Sequence, residues 1–240
     1  MLVRHKKTFS MGALFGVTFL VILSVIFSPI FGEGKNGLEF SDDLFNKLSK
    51  GSSFFIPDVR KNTLPFEGQS FTASVKTANP DLAVKMLMTA GAQVGRDDTR
   101  LKVTGDLGKL LAAVLIDSES MYHNKGSELT ARYGFTGEAD SSAKKALKTW
   151  WEILNTMIFD LQVQKKIEQA TATDQVLKKG IEPAYNFYGV AAESVSSKAL
   201  LMISLLVFYV IYTMWWGYAI FYMFDGIGLS MKKAKVKKEV

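Results

Sequence analysis

Asp117, Glu119 and His123 are the one group of side chains in this 240-residue sequence whose types and spacing could do chemistry. Glu119 and His123 stand four residues apart on a segment with helical periodicity, so they share a face. Such a pair can supply two metal ligands, or an acid hydrogen-bonded to an imidazole. Nothing in the sequence marks further ligands, and the competing reading is a solvated helix end, where a histidine in the last turn favours the dipole. The sequence favours the helix end, and the three residues stand only as weak ligand-site candidates.

The rest of the inventory points away from catalysis. His5 and His123 are the only histidines, and there is no cysteine, which removes thiol nucleophiles and thiolate metal sites. No nucleophile elbow, phosphate-binding loop or dinucleotide fingerprint occurs. The expectation is therefore a non-enzyme with no catalytic residue, no metal and no cofactor.

The elements around these residues are more informative. Met11 to Phe31 is a run of 21 residues without a charge, and Ala199 to Phe224 is a second run of 26. About 20 apolar helical residues cross the roughly 30 Å hydrocarbon layer. The sequence thus predicts two transmembrane helices, at 11–31 and 198–224. Pro29 and the length of the first run argue for a retained anchor and against a cleaved leader.

Charge orients them. Arg4, Lys6 and Lys7 precede the first run, and Lys232, Lys233, Lys235, Lys237 and Lys238 follow the second. Residues 33–198 carry 21 basic and 21 acidic side chains, so the net charge of +6 resides in the tails. These residues read as topology signals or anionic-lipid contacts, with both tails (1–10 and 225–240) cytoplasmic. A neutral intervening domain gives no support to nucleic-acid binding. The absence of N-glycosylation sequons fits a bacterial inner membrane with residues 33–198 in the periplasm, where the cysteine-free domain has no disulfides and must be held by packing.

Between the runs the pattern is α+β, mainly a helical bundle with a small antiparallel or mixed sheet. The exit segment 32–69 predicts a short helix capped by Ser41 and ended by Gly51, then an extended stretch over 52–69 with two prolines. Residues 70–105 read as a βαββ module: a strand with Phe71, Ala73 and Val75 on one face, a helix opened by Pro80, and two short strands around a turn at 96–98. Residues 106–197 read as the bundle. Its longest helix is predicted from about Ser141 to Gln169, with Ala143, Leu147, Trp150, Leu154, Met157 and Leu161 as the seam. The chain from Tyr188 is predicted to run directly into the second span.

Within the membrane, Gly12 and Gly16 form a small-xxx-small pair. In the second span Tyr209, Tyr212, Trp215, Trp216 and Gly217 are candidates for helix packing, because tyrosine hydroxyls at depth need acceptors. Neither span holds an ionisable residue other than tyrosine, which argues against a transporter acting alone. The expected partners are the lipid bilayer and an integral-membrane protein or a second copy. The expected role is an accessory or scaffolding subunit of a larger inner-membrane complex. A periplasmic ligand sensor signalling sideways through the membrane is the alternative, and an anchored hydrolase the remote third.

Overall fold

A computed structural model describes residues 3–97 and 99–229. The chain divides into two compact units, Met1–Phe45 with Ser194–Val240, and Asn46–Glu193.

In the first unit, α1 (Lys6–Ile26) is paired with the long C-terminal apolar helix, α10 (Val195–Gly226). Both are long and apolar enough to cross a membrane. The first helix is displaced from its predicted bounds: it begins among the lysines and ends at Ile26, five residues before Phe31. Pro29 explains the stop, since it offers no N–H and disfavours helical backbone at Ser28. The chain turns there, Ser28 N–H donating to Val25 O.

Helix α2 (Gly37–Ser52) follows. Its cap is Asn36 and not Ser41, which lies inside the helix. Asn36 Oδ1 accepts from the N–H groups of Leu38 and Glu39 at 2.9 and 3.0 Å, while Glu39 Oε2 accepts from Asn36 N at 2.9 Å. This reciprocal capping box satisfies three terminal donors. The stretch after it is also helical rather than extended: α3 (Ile56–Thr63) and a 3₁₀ turn at Leu64–Phe66. Pro57 and Pro65 each sit in a first turn, where a missing N–H costs nothing. Ile56 and Val59 are buried in the core, which holds the segment down.

The βαββ module forms: β1 (Ser70–Val75), α4 (Pro80–Thr89), β2 (Gln93–Asp97) and β3 (Arg100–Asp106) make a wholly antiparallel sheet of order β1-β3-β2. Arg96 and Asp97, however, expected in the turn, belong to β2 and pair with Leu101 and Arg100. Phe71 lies opposite Gly105 and Val75 opposite Leu101, and Phe71, Ala73 and Val75 all point inward.

Asp106 then caps α5 (Leu107–Tyr122), accepting from Lys109 N at 3.1 Å. α6 (Gly126–Tyr133) and α7 (Ala139–Val163) complete the central bundle. Every residue of the predicted α7 seam is fully buried. The helix itself stops at Val163, short of the expected Gln169. Lys165 adopts a left-handed conformation, and Lys166 N–H closes back on Leu161 O. This is a C-terminal motif more often built on glycine. α8 (Ile167–Val176), a π-helical turn (Leu177–Ile181) and α9 (Glu182–Asn186) follow. The chain does not run straight from Tyr188 into the last helix; Gly189 takes a φ of 87° and α10 begins only at Val195.

Helix α7 also covers the outer edge of the sheet. Along β1 and the residues just after it, Thr72 O accepts from Gln164 Nε2, and the N–H groups of Ser74, Lys76 and Ala78 donate to Asp160, Thr156 and Glu152. Every second residue is bonded, as the strand period requires, so side chains of one helix replace the missing neighbour strand.

Candidate functional site

The three residues proposed from spacing do not meet. Asp117 faces the core, Glu119 faces outward, and His123 caps the end of α5. Glu119 Oε2 accepts from Arg60 Nη2 of α3 at 2.6 Å. The His123 ring packs 5.1 Å from that of Phe54 and 5.9 Å from that of Tyr122. Among the described residues no group of three or more His, Asp or Glu is placed to hold a metal ion.

Asp117 is a structural hub. Its fully buried carboxylate accepts from Trp150 Nε1 of α7 at 2.7 Å, and from Tyr133 Oη and Arg132 Nη1 of α6. Burial pushes the carboxyl above its ordinary value, against the opposing pull of these three donors. Burial and the adjacent Asp117 charge together push the Tyr133 hydroxyl well up. The group holds three helices in register, because Trp150 Nε1 and Tyr133 Oη would be left buried and unpaired without the carboxylate.

A second polar hub carries no sequence signal. Lys50, at the end of α2, is 3% exposed and donates to Asn124 Oδ1, Phe187 O and Val190 O at 2.9, 3.0 and 2.7 Å. Its ammonium also sits 5.3 Å from the Tyr122 ring, and Tyr122 Oη donates to Lys50 O. Burial lowers the Lys50 ammonium below its ordinary value. Asn124, left-handed at φ 60°, binds both Gly189 N and Val190 O with its side-chain amide. Gly51 is required here, since a Cβ would fall 2.0 Å from Glu193 O. Lys50 thereby fastens the 187–190 connection to the ends of α2 and α5.

The packing candidates separate into two groups. Gly12 and Gly16 are buried, and a Cβ on Gly12 would lie 2.6 Å from Met223 N, so the helix that Gly12 meets is α10 of the same chain, while a Cβ on Gly16 would meet nothing within 4 Å. Tyr212 Oη donates to Phe19 O, and Trp215 Nε1 to Phe15 O and Thr18 Oγ1, each at 3.1 Å. Phe19 stacks on Tyr212 at 4.2 Å and lies 4.7 Å from Trp216. Tyr209 is different: it is 63% exposed, and its hydroxyl forms no hydrogen bond among the described residues. Gly217 also faces open space. Of the basic residues, Arg4 and His5 N–H groups both donate to Gly226 O, tying the start of α1 to the end of α10. Lys6 and Lys7 open α1, while Lys232, Lys233, Lys235, Lys237 and Lys238 lie outside the described residues.

The fold defines a mainly helical protein with a small antiparallel sheet and two apolar helices of membrane-crossing length. No family model, curated protein or solved structure matches the chain.

Proposed function

We propose that the protein is a non-catalytic accessory or scaffolding subunit of a larger complex in a bacterial inner membrane. In this reading α1 and α10 cross the bilayer as a hairpin, both termini are cytoplasmic, and unit Asn46–Glu193 projects into the periplasm. The observation that carries it is the contrast between two flanks of α10. The face toward α1 has its polar groups satisfied, as Tyr212 and Trp215 find carbonyl acceptors there. An adjoining flank presents Tyr209 with an unbonded hydroxyl, together with exposed Thr213 and Gly217. A hydroxyl without an acceptor in hydrocarbon is costly, and a helix docking there would supply one while the small residues allow close approach.

The polar residues singled out from the sequence support a scaffold rather than a reaction centre. Asp117 and Glu119 are each engaged with side chains of neighbouring helices, and the His123 ring is packed between aromatic rings.

Purification of tagged full-length protein from its own membranes in mild detergent, followed by mass spectrometry, tests the proposal. A near-stoichiometric integral-membrane partner is expected, and Tyr209→Ala should reduce its recovery while Tyr212→Ala weakens the hairpin instead. Recovery of the chain without any partner overturns the accessory reading. Because the chain lacks cysteine, single cysteines introduced at Ser10 and Ser142 report sidedness cleanly with an impermeant thiol reagent.

A further inference from the structure

Unit Asn46–Glu193 carries a groove of about 390 Å³ between α7 and the segment formed by the π turn and α9. That volume lies within the range of small-molecule sites. Leu147 and Ile181, both buried, form its floor, and Trp151 and Tyr185, each part-exposed, form its walls. Lys148 and Glu182 stand at its rim. The π turn sets this geometry: Gly180 packs so tightly on α5 that a Cβ would lie 3.0 Å from Leu115 Cδ2, and the next residues, Ile181, Glu182 and Tyr185, line the groove. Single π-helical turns recur at functional sites.

The charges define the ligand. Glu182 Oε1 accepts from Trp151 Nε1 at 3.2 Å, so the indole orients the carboxylate. Lys148 is exposed and forms no ion pair with Glu182 or with any other described residue. The groove therefore offers a separated cation and anion above an apolar, aromatic-walled floor. A ligand carrying only one charge would meet a like charge as well as an opposite one. We propose that this groove binds a free amino acid with a large apolar side chain. Its carboxylate pairs with Lys148, its ammonium with Glu182, and its side chain lies on Leu147 and Ile181 between the two aromatic walls. The proposal stands apart from membrane insertion and from the accessory role.

Isothermal titration of the full-length protein in detergent micelles with L-phenylalanine, 3-phenylpropanoate and L-phenylalaninamide tests it. L-phenylalanine should bind saturably in the millimolar range or below, and each single-charge analogue about tenfold more weakly. Lys148→Met should weaken phenylalanine about tenfold yet leave the amide unchanged, and Glu182→Gln should weaken phenylalanine yet leave the phenylpropanoate unchanged. Both side chains sit at the rim, and circular dichroism confirms that the variants fold. Absence of saturable binding of L-phenylalanine, L-tryptophan and L-leucine overturns the proposal, as do equal affinities for the three probes or variants that bind like the parent.

Discussion

Trp150 Nε1 donates to Asp117 Oδ2 at 2.7 Å inside the core, joining α7 to α5. With Tyr133 and Arg132 on the same carboxylate, removal of the acceptor takes the partner from three donors on two further helices. Asp117→Ala should therefore destabilise this unit by about 3–5 kcal/mol, the range for breaking a buried, bonded charge. Urea unfolding followed by tryptophan fluorescence measures it, and a loss below about 1 kcal/mol would contradict the hub role.

The pH dependence has a definite sign. Burial raises the Asp117 carboxyl above its ordinary 3.8, so above that value the folded state holds a proton that the unfolded chain has released. The contribution of Asp117 is thus most favourable below the unfolded value and declines as pH rises through the folded one. Stability relative to Asp117→Asn, compared by melting between acid and neutral pH, should fall with increasing pH across that window and be flat below it.

Lys50 acts locally. Lys50→Met removes the donor to Phe187 O and Val190 O, and amide exchange at residues 189 and 190 should accelerate by about tenfold with little change at α7. Burial lowers the Lys50 ammonium below 10.5, so the folded state loses this proton before the unfolded chain does. As pH rises through the folded value toward 10.5, this term favours folding, and the methionine variant should lack that alkaline gain.

Gly12 and Gly16 give a paired test of the helix seam. A Cβ at Gly12 meets the α10 backbone at Met223, whereas one at Gly16 meets nothing within 4 Å. Gly12→Ala should cost about 1–3 kcal/mol of hairpin stability through overpacking, while Gly16→Ala should be near neutral. Thermal unfolding in detergent distinguishes them, and equal effects would contradict the seam.

The covered edge of β1 predicts a segmental change. Glu152→Ala removes the acceptor for both Ala78 N and Thr77 Oγ1, and Asp160→Ala that for Ser74 N. Hydrogen exchange at Ser74 and Ala78 should rise in the double variant, with less change at Lys76, whose acceptor Thr156 remains, and with exchange in β3 unchanged because its partners on both sides remain.

The long-range content of the core was legible in the linear pattern. Phe71, Ala73 and Val75 alternate and are buried together, and the Ala143 to Leu161 seam recurs at three and four and is wholly interior. Period-2 and period-3.6 burial follow from backbone geometry alone. Uncharged runs likewise announce two membrane-length helices, because composition and rise per residue decide that property.

Tertiary structure decided what depends on partners distant in sequence. Nothing near Lys50 announces that Asn124, Phe187 and Val190 converge on its ammonium, and nothing near Trp151 announces Glu182 across the groove. The spacing of Glu119 and His123 put them near one another, yet Arg60 on one side and the Phe54 and Tyr122 rings on the other draw them into separate surroundings. Local boundaries also shifted where a remote contact or an atypical residue won: Lys165 ends α7 in a conformation usually left to glycine, and buried Ile56 and Val59 pull a proline-bearing stretch into helix. Periodicity records which face of an element is apolar, but a side-chain hydrogen bond depends on the position of a second chain segment to within an ångström, and only the folded packing sets that.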